Sequence, residues 1–271
     1  LDKALQLSQT HALESLHAHA LTEMAIINDL QGDHMIAVSL YEKALQLLKD
    51  TGNRFREEPV LGALGNVYQK IGDYEQSVSY YNRAIQLARE VGHRRNEGVH
   101  LGNLGNIYQK LGEYERAMEH YINALNISRD ISNPRFESIN LGNLGNVCKA
   151  MEDYEQAAIY YSEALEISIV IGNKRNEGIQ LGNLGDLFIK LGKWDEAERN
   201  LLESIRLCTS LLPAAAGAFS GSLAWLYSQQ SKHELAQKML EEGEPMVAVF
   251  PFEHAKFLCR KARVFHRVHE I

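Results

Sequence analysis

Asn66, Asn106 and Asn146 stand forty residues apart, and Asp186 follows at the same interval. A primary amide offers both donor and acceptor, the two functions presented by the main chain of an extended peptide. Each of these residues is the middle of a triplet: Gly62, Asn66 and Gln69; Gly102, Asn106 and Gln109; Gly142, Asn146 and Lys149; Gly182, Asp186 and Ile189. Offsets of four and seven place each triplet on one face of a helix. A glycine inside a helix costs about 1 kcal/mol relative to alanine. Gly62, Gly102, Gly142 and Gly182 are therefore expected to leave a bare floor against which another backbone can lie. The chemistry implied is recognition of a peptide main chain. The competing use of the amides is to bond between neighbouring units and fix their pitch.

Other candidates are weaker. Asn103, Asn143 and Asn183 lie three residues before the ladder positions, closer to the seam between units, where a structural role is expected. Arg95, Arg135 and Arg175, with Arg54, Arg94 and Lys174, recur in the loops between units. They form either a basic rail at the groove edge that attracts an acidic peptide, or pairs with Glu57, Glu97, Glu137 and Glu177. The histidines are scattered: His17 and His19 point to different helical sides, and His266 and His269 share a face without further ligands nearby. No Ser/His/Asp, Cys/His or paired-carboxylate constellation stands apart from the repeat, and the Gly-x-x-Gly steps lack the strand and Gly-Lys-Ser/Thr of a phosphate loop. The chain is expected to be no enzyme, with no metal and no cofactor.

The elements that must position these residues come from the repeat itself. Leu-Gly-Asn-Leu-Gly-Asn occupies 101–106 and 141–146, with near copies at 61–66 and 181–186. A period of that size indicates stacked supersecondary units. Within one unit Leu61, Leu64 and Tyr68 mark a buried helical face. Gly72 supplies a left-handed residue that ends the helix, and Asp73 caps the next. Asp73 with Gln76, and Asp153 with Gln156, have capping-box spacing. Tyr74, Ser77, Val78, Tyr81, Ala84 and Ile85 continue the stripe on a second helix. Small residues alternate with large ones because two antiparallel helices approach closely only where one side chain is short.

This grammar predicts an all-α fold, a right-handed α-solenoid of stacked antiparallel helix pairs, as one array over 1–271. Residues 1–16 read as the second helix of a truncated unit, because Leu1–Leu7 aligns with Tyr41–Leu47. Complete units are expected at 17–52, 57–92, 97–132, 137–172 and 177–212. A divergent unit follows at 215–246, and 252–271 reads as a lone first helix. Ala214–Gly217 is expected as a loop, with Pro245 and Pro251 bracketing another. Both ends then carry raw apolar faces, which allows self-association.

Bulk composition narrows the function. The 28 Lys plus Arg against 35 Asp plus Glu give a net charge of −7, unlike a duplex nucleic-acid binder, whose affinity comes largely from neutralised phosphates. Three distant cysteines, one of them Cys148 at a core position, favour a reducing, cytoplasmic location. No apolar run reaches membrane-spanning length, so no membrane partner is expected.

Leu64-Gly65, Tyr68, Ser77, Tyr81 and Ala84, and Leu104-Gly105, Tyr108, Ala117, Tyr121 and Ala124, carry a pattern that resembles the tetratricopeptide repeat (TPR) family. The forty-residue unit is longer than the family's usual one. Together with the Leu-Gly-Asn sextet it is similar to the arrays of Pins-type adaptors and of bacterial signalling proteins. The resemblance implies a scaffold that binds an extended peptide or partner segment in its inner groove. The alternative it implies is the regulatory or sensor arm of a larger signalling protein, one with an NTPase, kinase or transcriptional domain. Some relatives clamp a terminal carboxylate with Lys, but glycine stands at that position here.

Overall fold

The computed structural model describes residues 2–269, with side chains over 13–267. The described residues form helices joined by short turns, without a strand. The chain divides into two compact units, Leu1–Ser132 and Asn133–Ile271. The first holds α1 (Asp2–Gln31), α2 (His34–Asp50), α3 (Arg54–Ile71), α4 (Tyr74–Val91), α5 (Arg94–Leu111) and α6 (Tyr114–Asp130). The second holds α7 (Pro134–Ala150), α8 (Tyr154–Val170), α9 (Lys174–Lys190), α10 (Trp194–Leu211), α11 (Pro213–Gln229), α12 (His233–Val247) and α13 (Pro251–His269). In each unit consecutive helices pack as hairpins, and each hairpin stacks on the next, the arrangement of an all-α solenoid.

The periodic stripes become the core. Leu64, Leu104 and Leu144 on first helices are wholly buried, as are Tyr81, Tyr121 and Tyr161 on second helices. Short residues let the hairpins close: the Ser77 hydroxyl donates to the Gly65 carbonyl (2.7 Å), and that of Ser204 to the Gly178 carbonyl (2.6 Å).

Helix ends follow local chemistry. Gly72 adopts φ +91°, and the N–H groups of Gly72 and Asp73 both return to the Tyr68 carbonyl. The Asp73 carboxylate then accepts from the Gln76 N–H (3.0 Å), and that of Asp153 from the Gln156 N–H (3.1 Å). The capping box is one-armed, because the Asp73 and Asp153 N–H groups already donate to Tyr68 and Cys148 carbonyls. Asp153→Ala is expected to lower stability by about 1 kcal/mol, seen as an earlier urea midpoint.

The structure departs from the sequence reading at both ends. α1 runs unbroken across the boundary expected at residues 16 and 17. The side chains of Leu1–Leu7, on which the likeness to Tyr41–Leu47 rests, lie outside the described residues, as do residues 270 and 271. Ala214–Gly217 is not a loop but the first turn of α11. Leu212 alone joins α10 to α11, and Pro213 opens the helix where its missing N–H leaves no bond unmade. Pro245 lies inside α12. The helix continues past it because Val247 is wholly buried, packed so close to Gly217 that a methyl there would meet Val247 at 2.8 Å.

Candidate functional site

The second glycine of each sextet and the residue after it act as one device. A methyl on Gly65, Gly105 or Gly145 would come within 2.8, 2.6 and 2.6 Å of the rings of Tyr81, Tyr121 and Tyr161. Each glycine thus admits a wholly buried tyrosine ring from the paired helix. The adjacent asparagine receives its hydroxyl: Tyr81 donates to Asn66 Oδ1 (2.6 Å), Tyr121 to Asn106 Oδ1 (2.7 Å) and Tyr161 to Asn146 Oδ1 (2.7 Å). Tyr121 also reaches Gln109 Oε1 (3.0 Å). Burial pushes all three phenols up, so they remain protonated donors.

The ladder amides are therefore tied within their own repeats. Their carbonyl oxygens each accept a tyrosine hydroxyl, whereas the Nδ2 groups of Asn66, Asn106 and Asn146 have no protein partner among the described residues. These three positions offer unpaired amide donors on a fixed side chain. Asn103 reaches Asn66 Oδ1 weakly at 3.4 Å, and Asn143 and Asn183 are half-buried beside the row.

The first glycine of each sextet does not form an open floor. A methyl on Gly62 would lie 2.2 Å from the His100 ring, on Gly142 2.5 Å from the Gln180 amide, and on Gly182 2.2 Å from the Phe219 ring. In each case a side chain from the following first helix fills the space. These glycines set how closely successive first helices approach. Gly102 is likewise buried.

Under His100 lies a network that periodic reading passes over. Glu58, wholly buried on α3, binds His100 Nε2 through Oε1, while its Oε2 takes His93 Nδ1 (2.8 Å) and the Asn96 amide (2.8 Å). Burial opposes the charge, but donors from His100, Asn96 and His93 outweigh it and hold the carboxyl below the usual range. At the corresponding seam of the second unit, the Asn176 amide donates to Ser138 (3.2 Å) and Ser168 (2.8 Å) hydroxyls.

At its fourth position the ladder changes character. The tyrosine seat is taken by Leu201, which has no hydroxyl to offer, and the ladder residue is Asp186. Its carboxylate instead pairs with Arg260 of α13 (3.7 Å), at the wall of a cavity of about 620 Å³ that Lys149 and Ile189 also line. Gln69 and Gln109 are half-buried. Arg95, Arg135 and Arg175 are exposed in the first turns of α5, α7 and α9. The neighbouring cations Arg94 and Lys174 do pair with Glu97 and Glu177, and Arg54 pairs with Glu90. Among the described residues no group of three His, Cys, Asp or Glu is placed to hold a metal. No helix there is long and apolar enough to cross a membrane.

Comparison with known proteins is consistent with this geometry. The family model described as Tetratricopeptide repeat matches residues 56–130, 96–169 and 135–210, together more than half of the chain. The search of curated proteins gives no match. Among solved structures, BtubC (BKLC) from P. vanneervenii is 20% identical with a TM-score of 0.63, covering 90% of this chain and 92% of that one. The apo form of the quorum sensor NprR from B. thuringiensis is 18% identical with a TM-score of 0.69, covering 94% and 73%. A Rap protein complexed with Competence and Sporulation Factor is 16% identical with a TM-score of 0.65, covering 94% and 76%. At these identities the likeness is one of fold.

Proposed function

We propose that this chain, which belongs to the tetratricopeptide repeat family, binds an extended segment of a partner protein along the ladder-bearing faces of its first helices. The repeat fold is of a kind used for protein–protein interaction and regulation, and it is typically non-catalytic. The observation that carries the finer reading is the ladder. Asn66, Asn106 and Asn146 are held in place by buried tyrosines, with their amide N–H groups left unpaired. Fixed donors at repeat spacing suit the carbonyls of an extended main chain, and holding them fixed lowers the entropy lost on binding. Gln69 and Gln109 add polar contacts, and Arg95, Arg135 and Arg175 supply charge at the edge. The regulatory alternative draws on likeness to the quorum sensor NprR and to a Rap protein holding its factor.

Asn→Asp substitution separates the two jobs of the ladder. An aspartate still accepts from tyrosine but has no N–H to give. Asn106→Asp with Asn146→Asp is expected to leave the circular-dichroism melt close to wild type. Binding of peptides selected from a displayed random library should weaken about thirtyfold, from two lost hydrogen bonds at about 1 kcal/mol each. Selected peptides that bind the double variant as tightly as the wild type would refute the ladder reading.

A further inference from the structure

We propose that the cavity bordered by α7, α9, α11 and α13 is a subsite for an acidic side chain, aspartate or glutamate, carried within the bound segment. This rests on the groove reading above and specifies what the second unit selects.

The argument begins with charge. Lys149, Lys190, Arg260 and Arg263 line the cavity against two carboxylates, Asp186 and Glu152, in a chain whose net charge is −7. The cations are not balanced by the acids beside them. Among the described residues Lys190 and Arg263 have no ion pair, and Lys149 has only the ring of Tyr161, 5.9 Å from its Nζ. Lys149 is half-buried, and its pKa is lowered first by burial, then by Arg260 and Lys190, with Asp186 offsetting part of the effect. A cation taken partly out of water with no ion pair of its own is an unfavourable arrangement that an incoming carboxylate relieves.

Geometry adds direction. Arg260 Nη1 donates to the Ala218 carbonyl (2.7 Å) and to the Ser222 hydroxyl (2.6 Å), which fixes the guanidinium plane. Its Nη2 lies 3.7 Å from Asp186, so one cation of the set is assigned to holding the ladder acid. Lys149, Lys190 and Arg263 have no such duty. They are the groups available to a ligand.

The occupant is an internal side chain and not a chain terminus because the cavity does not end there. Trp225 and Arg263 are also walls of a second space of about 460 Å³, continued by Gln229 and His266. A segment placing its acid by Lys149 therefore has room to run on past Trp225, whose indole offers an apolar surface to the next side chain.

The test is a selection from random twelve-residue peptides displayed through their C-termini, so that none has a free terminal carboxylate. Two targets are used, the full chain and its Lys149→Glu, Arg263→Glu form. The wild type is expected to enrich Asp or Glu at one position, and the charge-reversed form Lys or Arg at that position. A synthetic, amidated copy of an enriched peptide should bind at least tenfold more weakly when that acid is changed to its amide, and likewise to Arg263→Gln. Arg263 is exposed, so this last variant decides the matter if the charge-reversed chain fails to fold. Enriched peptides that depend on Asn146 but show no acidic preference would overturn the subsite and leave the groove intact. A second library, displayed through N-termini so that its C-termini are free, is selected in parallel, and binding seen only from it would overturn the internal placement. No enrichment from either library would overturn the subsite together with the groove.

Discussion

Glu58→Ala is expected to cost the first unit about 3–5 kcal/mol, the range for removing one partner from a buried ion pair. The side chain is wholly buried, and its two oxygens are the shared acceptor for His93, Asn96 and His100. Alanine would strand these donors beneath the α5 seam, where His100 Nδ1 already has no partner. It would also free the His100 ring that fills the space over Gly62. Glu58→Gln keeps the shape and should cost less. The pH dependence follows from the direction of the shift. The folded carboxyl is held below its ordinary value, so its contribution is complete above about pH 4.3, the unfolded glutamate value. It is lost as pH falls from there through the folded pKa. Urea unfolding between pH 6 and pH 3 should therefore show wild type losing its advantage over Glu58→Gln. An advantage unchanged across that range would mean the carboxylate does not carry the seam.

The contrast between what repeats and what does not explains how far the sequence could be read. Helix pairing, turn positions and the tyrosine–alanine core recur every forty residues, so each copy corroborates the others. Glu58 has no such support, because Gly98, Ser138 and Gly178 stand at its counterparts. Its partners, the histidines and Asn96, lie a whole repeat downstream. The open-floor reading of Gly62, Gly142 and Gly182 failed for the same reason. Helical periodicity shows which residues share a face, but not that a side chain 37 or 38 positions later will occupy it. One paired change was present in the sequence all along. Where the ring-bearing Tyr81, Tyr121 and Tyr161 give way to Leu201, the ladder asparagine gives way to Asp186. Without a hydroxyl to accept from, position 186 is free to carry a charge, and its partner Arg260 lies too far along the chain for spacing to reveal. The divergent repeat was hard to read because Pro213 and Pro245 mark breaks in most contexts. Here one sits at a helix start and the other is carried by the packing of Val247.

Gly105→Ala is expected to destabilise the first unit by about 2 kcal/mol, although alanine is the better helix former by about 1 kcal/mol. The added methyl would lie 2.6 Å from the Tyr121 ring, and that ring has no retreat. Its edge is wholly buried, and its hydroxyl is bonded to Asn106 and Gln109, both on the helix that carries the new methyl. Relief would require α5 and α6 to separate. Gly185→Ala provides the comparison. Its methyl would also meet a neighbour at 2.6 Å, the Cγ of wholly buried Leu201, with the Ala197 carbonyl 3.3 Å away, but no hydrogen bond pins that side chain. Gly185→Ala should therefore report the steric cost without the hydrogen-bond constraint. A double-mutant cycle isolates the cause: Tyr121→Phe releases the ring from Asn106, so Gly105→Ala should cost less in that background. Equal costs in both backgrounds, measured by urea denaturation, would show that the glycine seats the tyrosine without help from the amide beside it. The Leu-Gly-Asn step would then be two independent features, not one device for setting a donor on the binding face.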